Sequence, residues 1–265
     1  MLPDGARFIK ARRSTNRRGL VVAGAGLAGA AAAYWGVAAA VTPAGRRLLR
    51  PWVLSEVPTD RPLVALTFDD GPDPRYTEGF VDRLDGARST FFVLGASARR
   101  WPESVRGLVR AGHEVACHGD THRSLATLGP LATLSALRNA HASIAEVAGA
   151  PPRYYRPAYG CFTLPGWLAA QQLGMRRTLW TAWARDWEER STPLLIAGSV
   201  LRAARPGAIL LLHDANGSEG APRRTLQALP AILTGLSDGG LLPVTLSELV
   251  AAGWPDGSIA PFPAA

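Results

Sequence analysis

The chain has 265 residues, 47% of them hydrophobic, and a formal net charge of +8, so it can bury a large core and is not intrinsically disordered. The positive charge is confined to the N-terminus, because residues 51–265 hold 20 Arg and 20 Asp or Glu and are neutral. No basic patch is left in that larger part, which argues against a nucleic-acid-binding protein.

The N-terminus has the pattern of a membrane-targeting segment. Residues 1–18 are basic, and the uncharged run at 19–45 is long enough to span a bilayer. The larger basic cluster comes first, so we expect residues 1–18 to stay in the cytoplasm and the chain from about residue 51 to lie outside. Ala38-Ala39-Ala40 offers a cleavage site. We favour an uncleaved anchor in the cell membrane; cleavage would give a secreted protein.

A glycine motif inside this segment is misleading. Gly24-Ala25-Gly26-Leu27-Ala28-Gly29 matches the G-x-G-x-x-G fingerprint of dinucleotide-binding proteins. That fingerprint needs an acidic residue about 20 positions further on, and no Asp or Glu occurs between Asp4 and Glu56. We therefore expect no nucleotide cofactor.

The rest of the chain alternates short apolar strands with helical patterns. Strands are predicted at 63–68, 89–94, 113–117, 153–156, 177–182, 208–213 and 241–245. Helices are predicted at 76–84, 99–111, 130–148, 164–173, 192–204, 223–235 and 246–252. Such alternation predicts a parallel sheet, open or closed into a barrel, with function at the carboxyl ends of the strands. We expect a linker at 46–59, one catalytic domain at 60–253 and an irregular tail at 254–265.

Two adjacent carboxylates end the first strand. The apolar run from Leu63 to Phe68 leads into Asp69-Asp70-Gly71-Pro72. Strand alternation breaks down at such a junction, so both side chains can reach one site. Two buried carboxylates need a cation or strong donors close by. The alternative is a solvated Asp-Gly turn.

Two histidines follow the third strand. His118 and His122 are four residues apart, a spacing that suits a divalent metal, and Asp70 could supply an oxygen ligand. Three protein ligands leave an open position, which is typical of catalytic zinc. The alternative is a pair of surface histidines. His113 and His141 are interpreted as structural.

Three further motifs carry polar groups to strand ends. Arg156 precedes Pro157, and Gly160 permits a turn whose backbone N–H groups could bind an oxyanion. Asp186-Trp187 follows the fifth predicted strand, and the sixth ends in His213. A carboxylate beside an imidazole raises its pKa and makes it a general acid.

In this order the five motifs resemble those of the polysaccharide deacetylase family, the NodB homology or carbohydrate esterase family 4 domain. The resemblance covers about residues 60–253. It implies a distorted (β/α)7 barrel with a parallel strand core and one divalent metal, usually Zn²⁺, with Co²⁺ or Ni²⁺ as alternatives.

The resemblance also implies a role for each matching residue. Asp70, His118 and His122 would hold the metal. Asp69 would be the base that activates water, oriented by Arg156, and His213 would protonate the leaving amine, tuned by Asp186. The Tyr159 N–H would stabilise the oxyanion, and Trp187 and Leu211 would line the acetyl pocket.

The sequence departs from the family pattern at three positions. Gly119 replaces a usual Ser or Thr, Ala158 a common proline, and Trp183 a residue that is often acidic. None is a metal ligand or proton carrier, so these departures affect loop rigidity and substrate choice. Cys117 and Cys161 flank two motifs and could form a disulfide if their Cα atoms come within about 7 Å.

The leading interpretation is an N-deacetylase of N-acetylglucosamine-type polysaccharide, with peptidoglycan or chitin-like oligomers as substrate. An O-acetyl esterase on xylan or another glycan would use the same residues. A catalytically silent glycan-binding protein would need a lost ligand or base, and none is lost. We expect a monomer that contacts the membrane through its N-terminal segment.

Overall fold

The computed structural model describes Leu49 and residues 51–215 and 220–254. The expected cytoplasmic region at 1–18, the expected span at 19–45 and all but the first residue of the expected tail lie outside these residues. Within the described part, no helix is both long and apolar enough to cross a bilayer.

The core of the fold is a parallel sheet. Its strands are β1 (Leu63–Asp69), β2 (Thr90–Val93), β3 (Glu114–Cys117), β4 (Tyr154–Tyr155), β5 (Arg176–Arg177), β6 (Ala182–Trp183), β7 (Ile209–His213) and β8 (Leu242–Pro243). The order is β5-β4-β3-β2-β1-β7-β6, β8 also pairs with β1, and every pairing is parallel. The predicted parallel α/β architecture is confirmed. Within the described residues β5 and β6 are the outermost strands and do not pair with each other, so the sheet forms a half-barrel.

Helices connect the strands. They are α1 (Thr77–Leu84), α2 (Gly95–Arg100), α3 (Pro102–Arg110), α4 (Pro130–Ala148), α5 (Leu164–Gln172), α6 (Pro193–Ala203), α7 (Ala221–Asp238) and α8 (Leu246–Gly253). Short 3-10 turns lie at Leu125–Thr127 and Ala158–Gly160. Threonine side chains cap the N-termini of α5, α6 and α8, which satisfies backbone N–H groups that have no partner inside the helix.

Two predicted elements are wrong. The single helix at 99–111 is two helices, because Pro102 starts α3 and lacks the N–H that a continuous helix would need. The single strand at 177–182 is also two elements, β5 and β6, which lie at opposite edges of the sheet.

A segment before the first strand joins the two sides of the open sheet. The Leu54 N–H donates to the Arg177 carbonyl at 2.9 Å, and the Val57 N–H donates to the Gly207 carbonyl at 2.9 Å. Both Leu54 and Val57 are buried. Residues 53–57 therefore connect the β5 edge to the start of β7, and Val53, Leu54 and Val57 belong to the hydrophobic core.

The central position of β1 determines where the site lies. Its register pairs Asp69 with Phe92 of β2 on one side and with His213 of β7 on the other. Further along the sheet, Cys117 at the end of β3 pairs with Tyr155 of β4. The carboxyl ends of these strands therefore meet at one edge, where the predicted functional residues follow them.

Candidate active site

The turn after β1 carries the two adjacent carboxylates. Asp69 and Asp70 are both buried, and Asp70 has a left-handed backbone with φ of 84°. A non-glycine residue in this conformation is uncommon and costs on the order of 1–3 kcal/mol. The change of backbone direction breaks the strand alternation and lets both side chains reach the same cavity.

Asp70, His118 and His122 form a group that fits a metal ion. Asp70 Oδ1 lies 3.3 Å from His118 Nε2 and 3.2 Å from His122 Nε2, and the three potential ligand atoms all lie within 4.8 Å of one another. Asp70 Oδ1 is buried without a hydrogen-bond partner, which is costly for a carboxylate. Two imidazole nitrogens and a carboxylate oxygen form a donor set that suits zinc or cobalt.

The protonation states of this group also suit a cation. Burial by itself would raise the pKa of Asp70, but the neighbouring His118 imidazole, together with His213 and His122, lowers it to about 2. Burial lowers the pKa of His122. Asp70 is therefore ionised at neutral pH, and burial favours the neutral form of His122, which is the form that binds metals.

Arg156 fixes the orientation of Asp69. The guanidinium is completely buried, and its Nη1 donates to Asp69 Oδ1 at 2.6 Å and to the Thr67 hydroxyl at 3.0 Å. Its Nη2 donates to the Leu179 carbonyl at 3.0 Å. The Asp69 carboxylate is therefore held through one oxygen, while Oδ2 lies 3.7 Å from His118 Nδ1.

A second buried carboxylate holds His213. Asp186 Oδ1 lies 2.8 Å from His213 Nδ1, and Oδ2 accepts bonds from the His213 backbone N–H at 2.8 Å and the Thr225 hydroxyl at 2.6 Å. Burial alone would lower the pKa of His213, but the charge and hydrogen bond of Asp186 outweigh it and raise this pKa to about 10. The imidazole is therefore a charged proton donor at neutral pH.

These groups open into a single cavity of about 280 Å³. Its lining consists of Asp69, Asp70, His118, His122, Tyr159, Gly160, Trp180, Trp183, Trp187, Leu211 and His213. Tyr159 has φ of 60°, is 62% exposed and lies with its ring centroid 4.6 Å from that of His122. Away from the polar centre, the wall is therefore largely aromatic, a surface that binds the apolar face of a ring.

The aromatic residues of the wall contact one another. The Trp183 ring lies 5.5 Å from Trp180 and 5.4 Å from Trp187, and Trp187 lies 5.4 Å from His213. Trp183 is 37% exposed. A row of rings thus leads from the His213 imidazole to the surface.

All ten residues selected from the sequence lie at this end of the sheet. Eight of them line the cavity, including Leu211 of β7, and Arg156 and Asp186 bond directly to residues that do. Sequence reasoning did not find the roles of Thr67 and Thr225, because each binds a residue far away along the chain. Cys117 and Cys161 are free thiols and form no disulfide.

One departure from the family pattern has a conformational explanation. Gly119 follows His118 with φ of 99°, which side-chain-bearing residues rarely adopt. Its carbonyl accepts the Gly95 N–H at 2.9 Å, so the loop that carries both histidines is fixed against the start of α2.

The comparison with known proteins agrees with this site. Residues 56–178 match the polysaccharide deacetylase family model. The chain is 34% identical to a chitooligosaccharide deacetylase of Sinorhizobium fredii over 69% of its own length and 90% of that protein. It is 31% identical to a peptidoglycan-N-acetylglucosamine deacetylase of Bacillus cereus over 77% of its length and 97% of that protein. The chain therefore belongs to the polysaccharide deacetylase family.

Solved structures show the same architecture. A peptidoglycan N-acetylglucosamine deacetylase superposes with a TM-score of 0.70 at 27% identity, covering 76% of this chain and 94% of the other. A family 4 acetyl xylan esterase from Clostridium thermocellum, solved with a cobalt ion, superposes with a TM-score of 0.64 at 31% identity. That match covers 71% of this chain and 89% of the esterase.

Proposed function

We propose that the protein is a metal-dependent hydrolase that removes N-acetyl groups from N-acetylglucosamine-type polysaccharide. One observation carries the proposal: the metal-binding group, the Asp69–Arg156 pair and the Asp186–His213 pair are all grouped at one cavity. Amide hydrolysis needs an activated water, a stabilised oxyanion and a proton for a poor leaving group.

Each requirement has its own residue. Asp70, His118 and His122 would hold a divalent cation, which would supply Lewis-acid polarisation and lower the pKa of water. Asp69 accepts a proton from the attacking water, while Arg156 holds the orientation of its carboxylate. The N–H of Tyr159, which belongs to the left-handed turn at the cavity wall, donates to the developing oxyanion.

Other residues at the cavity act on the leaving group and bind the acetyl methyl. His213 donates a proton to the departing amine nitrogen, and Asp186 stabilises the imidazolium and holds its tautomer. Trp187 and Leu211 surround the acetyl methyl with apolar surface. The aromatic face of Trp183 offers a platform for a sugar ring, because rings and pyranose faces pack together without needing charge.

Relatives support the choice of substrate. By their names, the deacetylases of Sinorhizobium fredii and Bacillus cereus act on chitooligosaccharides and on peptidoglycan N-acetylglucosamine, and both substrates contain the same acetylated sugar. We take this N-acetylglucosamine unit as the substrate of the protein.

An O-acetyl esterase is the second candidate. The similarity to an acetyl xylan esterase favours it, since an ester needs the same water activation and oxyanion donor. The two activities differ in the leaving group, because an alkoxide needs less help from His213 than an amine does. A non-catalytic glycan-binding protein is disfavoured, because every proposed ligand and proton carrier is present.

We also propose that the domain works outside the membrane, with residues 1–18 on the cytoplasmic side. The support is the basic cluster before the uncharged run at 19–45. Protease added to intact, wall-stripped cells should digest residues beyond about 51. Protection of these residues would contradict the orientation.

The activity is tested by measuring acetate released from chitooligosaccharide, peptidoglycan and acetylxylan side by side. We expect release from the first two, and chelation should inactivate the enzyme reversibly. Release from acetylxylan alone would favour the esterase, and no release from any substrate would overturn the hydrolase proposal.

Variants separate the base from the ligands. Asp69→Asn should retain bound metal and lose turnover by about 10²–10⁴-fold, because the amide accepts no proton. Asp70→Ala, His118→Ala and His122→Ala should each lose metal and activity together. Elemental analysis measures the metal content of each variant. Loss of metal in Asp69→Asn would mean that Asp69 is the ligand and Asp70 the base.

A further inference from the structure

A fully buried carboxylate that the mechanism does not use lies beside the site. Asp214 follows His213 at the end of β7 and is inaccessible to solvent. Its Oδ2 accepts a hydrogen bond from the Thr77 hydroxyl at 3.0 Å, while Oδ1 has no partner among the described residues. Burial raises the pKa of Asp214 to about 7. A carboxylate in such a place is costly, so its presence calls for a function.

Asp214 contacts the turn after β1 directly at two points and reaches a third through Thr77. Its backbone N–H donates to the Asp69 carbonyl at 3.2 Å. Its carboxylate lies against Gly71 so closely that a Cβ on Gly71 would be 2.2 Å from Oδ2. The Thr77 hydroxyl donates to the Asp214 carboxylate and also accepts a hydrogen bond from the Asp73 backbone N–H at 2.9 Å. Thr77 therefore connects Asp214 to the far end of the turn.

This turn needs external support. It holds Asp70 in a left-handed conformation, and a relaxed backbone would carry Asp70 Oδ1 away from the two imidazoles that now lie 3.2 and 3.3 Å from it. A metal site tolerates little such movement, because its ligand atoms must stay within bonding distance of one point.

We propose that Asp214 is a positioning residue that, through Thr77 and Gly71, fixes residues 69–73 so that Asp70 can bind metal with His118 and His122. The inference rests on the proposed metal site and is independent of the substrate. Asp214 would thus orient a metal ligand without binding the metal itself, as residues around metal sites commonly do.

The test is calorimetric titration of Zn²⁺ into metal-free protein. Thr77→Val keeps the shape of the side chain and removes its hydroxyl, and Asp214→Ala removes the carboxylate. Each should weaken zinc binding by about ten- to a hundredfold. The double variant should bind no more weakly than the worse single variant, because both changes break one connection.

Control variants separate this role from general destabilisation. Thr133 on α4 is another buried threonine, and its hydroxyl has no partner among the described residues. Thr133→Val should bind zinc like the wild type. Asp214→Asn keeps an oxygen for the Thr77 hydroxyl and should bind zinc within about threefold of the wild type. Thermal unfolding without metal shows that each variant is folded, and Thr77→Ala, which also lacks the hydroxyl, replaces Thr77→Val if that variant is not.

The outcomes are distinguishable. Wild-type affinity in both Thr77→Val and Asp214→Ala, or effects that add in the double variant, would overturn the positioning role. A loss in Asp214→Asn as large as in Asp214→Ala would also overturn it, since charge rather than contact would then matter. If the wild type itself binds no zinc, the proposed metal site fails, and the positioning role with it.

Discussion

At the scale of single residues, the bond between Asp186 and His213 determines the pH range of proton donation. Burial lowers the pKa of His213, but Asp186 raises it by more, and the result is about 10. The imidazole is therefore protonated below that pH and loses its proton above it. Asp186→Asn removes the largest of the effects that raise this pKa, while the charges of Asp70 and Asp69 remain and burial still lowers it. The alkaline limb of the kcat profile should therefore move down by more than about one pH unit.

Acetate release measured from pH 6 to 11 checks this expectation. Glu188→Gln is the matched control, because Glu188 pairs with Arg185 and Arg190 and makes no bond to His213. An alkaline limb that stays in place in Asp186→Asn would mean that His213 is not the group that titrates.

Trp183 gives a prediction about substrate length. Its ring is partly exposed beside Trp187 at the cavity, and aromatic stacking contributes about 1 kcal/mol. Trp183→Ala should therefore lower kcat/KM for chitotetraose by about fivefold, with a much smaller effect on 4-nitrophenyl acetate, which has no neighbouring sugar. Trp52→Ala, an exposed tryptophan away from the cavity, is the control. Equal losses on both substrates would contradict a sugar platform.

Residue types at strand ends made most of the site predictable. Asp70, His118 and His213 each follow an apolar run, and parallel strands bring such positions together whatever connects them. Thr225 and Thr77 gave no such signal. Each acts through a hydrogen bond to a residue 39 or 137 positions away, and only the packing of α7 and α1 against the sheet creates those contacts.

At the scale of elements, the close approach between residues 53–57 and the start of β7 depends on a glycine. Gly207 has φ of +80°, and a Cβ there would lie 1.9 Å from the Val57 carbonyl oxygen. Gly207→Ala should lower the free energy of unfolding by about 3 kcal/mol, because it adds a backbone clash to the cost of the left-handed conformation.

Urea unfolding measures that loss, and Gly240→Ala is its control. Gly240 has φ of +69° with nothing within 4 Å of an added Cβ, so its substitution should cost only about 1 kcal/mol. An equal loss in the free energy of unfolding for both variants would mean that residues 53–57 move aside to accommodate the added Cβ.

The element boundaries show where sequence patterns reach their limit. Pro102 is a helix-start signal, so the division between α2 and α3 was present in the sequence. The division of 177–182 was not, because this stretch contains no Gly, Pro or Asp. β5 and β6 lie apart because they are at opposite ends of an open sheet, and that openness is a property of the whole half-barrel.

At the scale of the whole molecule, the core-bound segment at 53–57 limits how far the domain can lie from the proposed membrane span at 19–45. Leu49 already packs against the core, so only residues 46–48 are left between span and domain. Fully extended, the chain from 45 to 49 covers about 15 Å.

Insertion of 20 Gly/Ser residues after Gly45 should therefore increase acetate release from the walls of intact cells and leave release from soluble oligosaccharides unchanged. The control is a Gly/Ser insertion of equal length after Asp4, on the other side of the span. An unchanged rate on intact walls would contradict a membrane-held domain.

The proposed attachment to the membrane through this short connection would have a consequence for the wall itself. An enzyme whose catalytic cavity travels with the membrane reaches new polymer only while that polymer is close to its place of synthesis. Each glycan chain of the wall should therefore be deacetylated soon after its synthesis. It should then keep that pattern of deacetylation as newer glycan chains displace it outward.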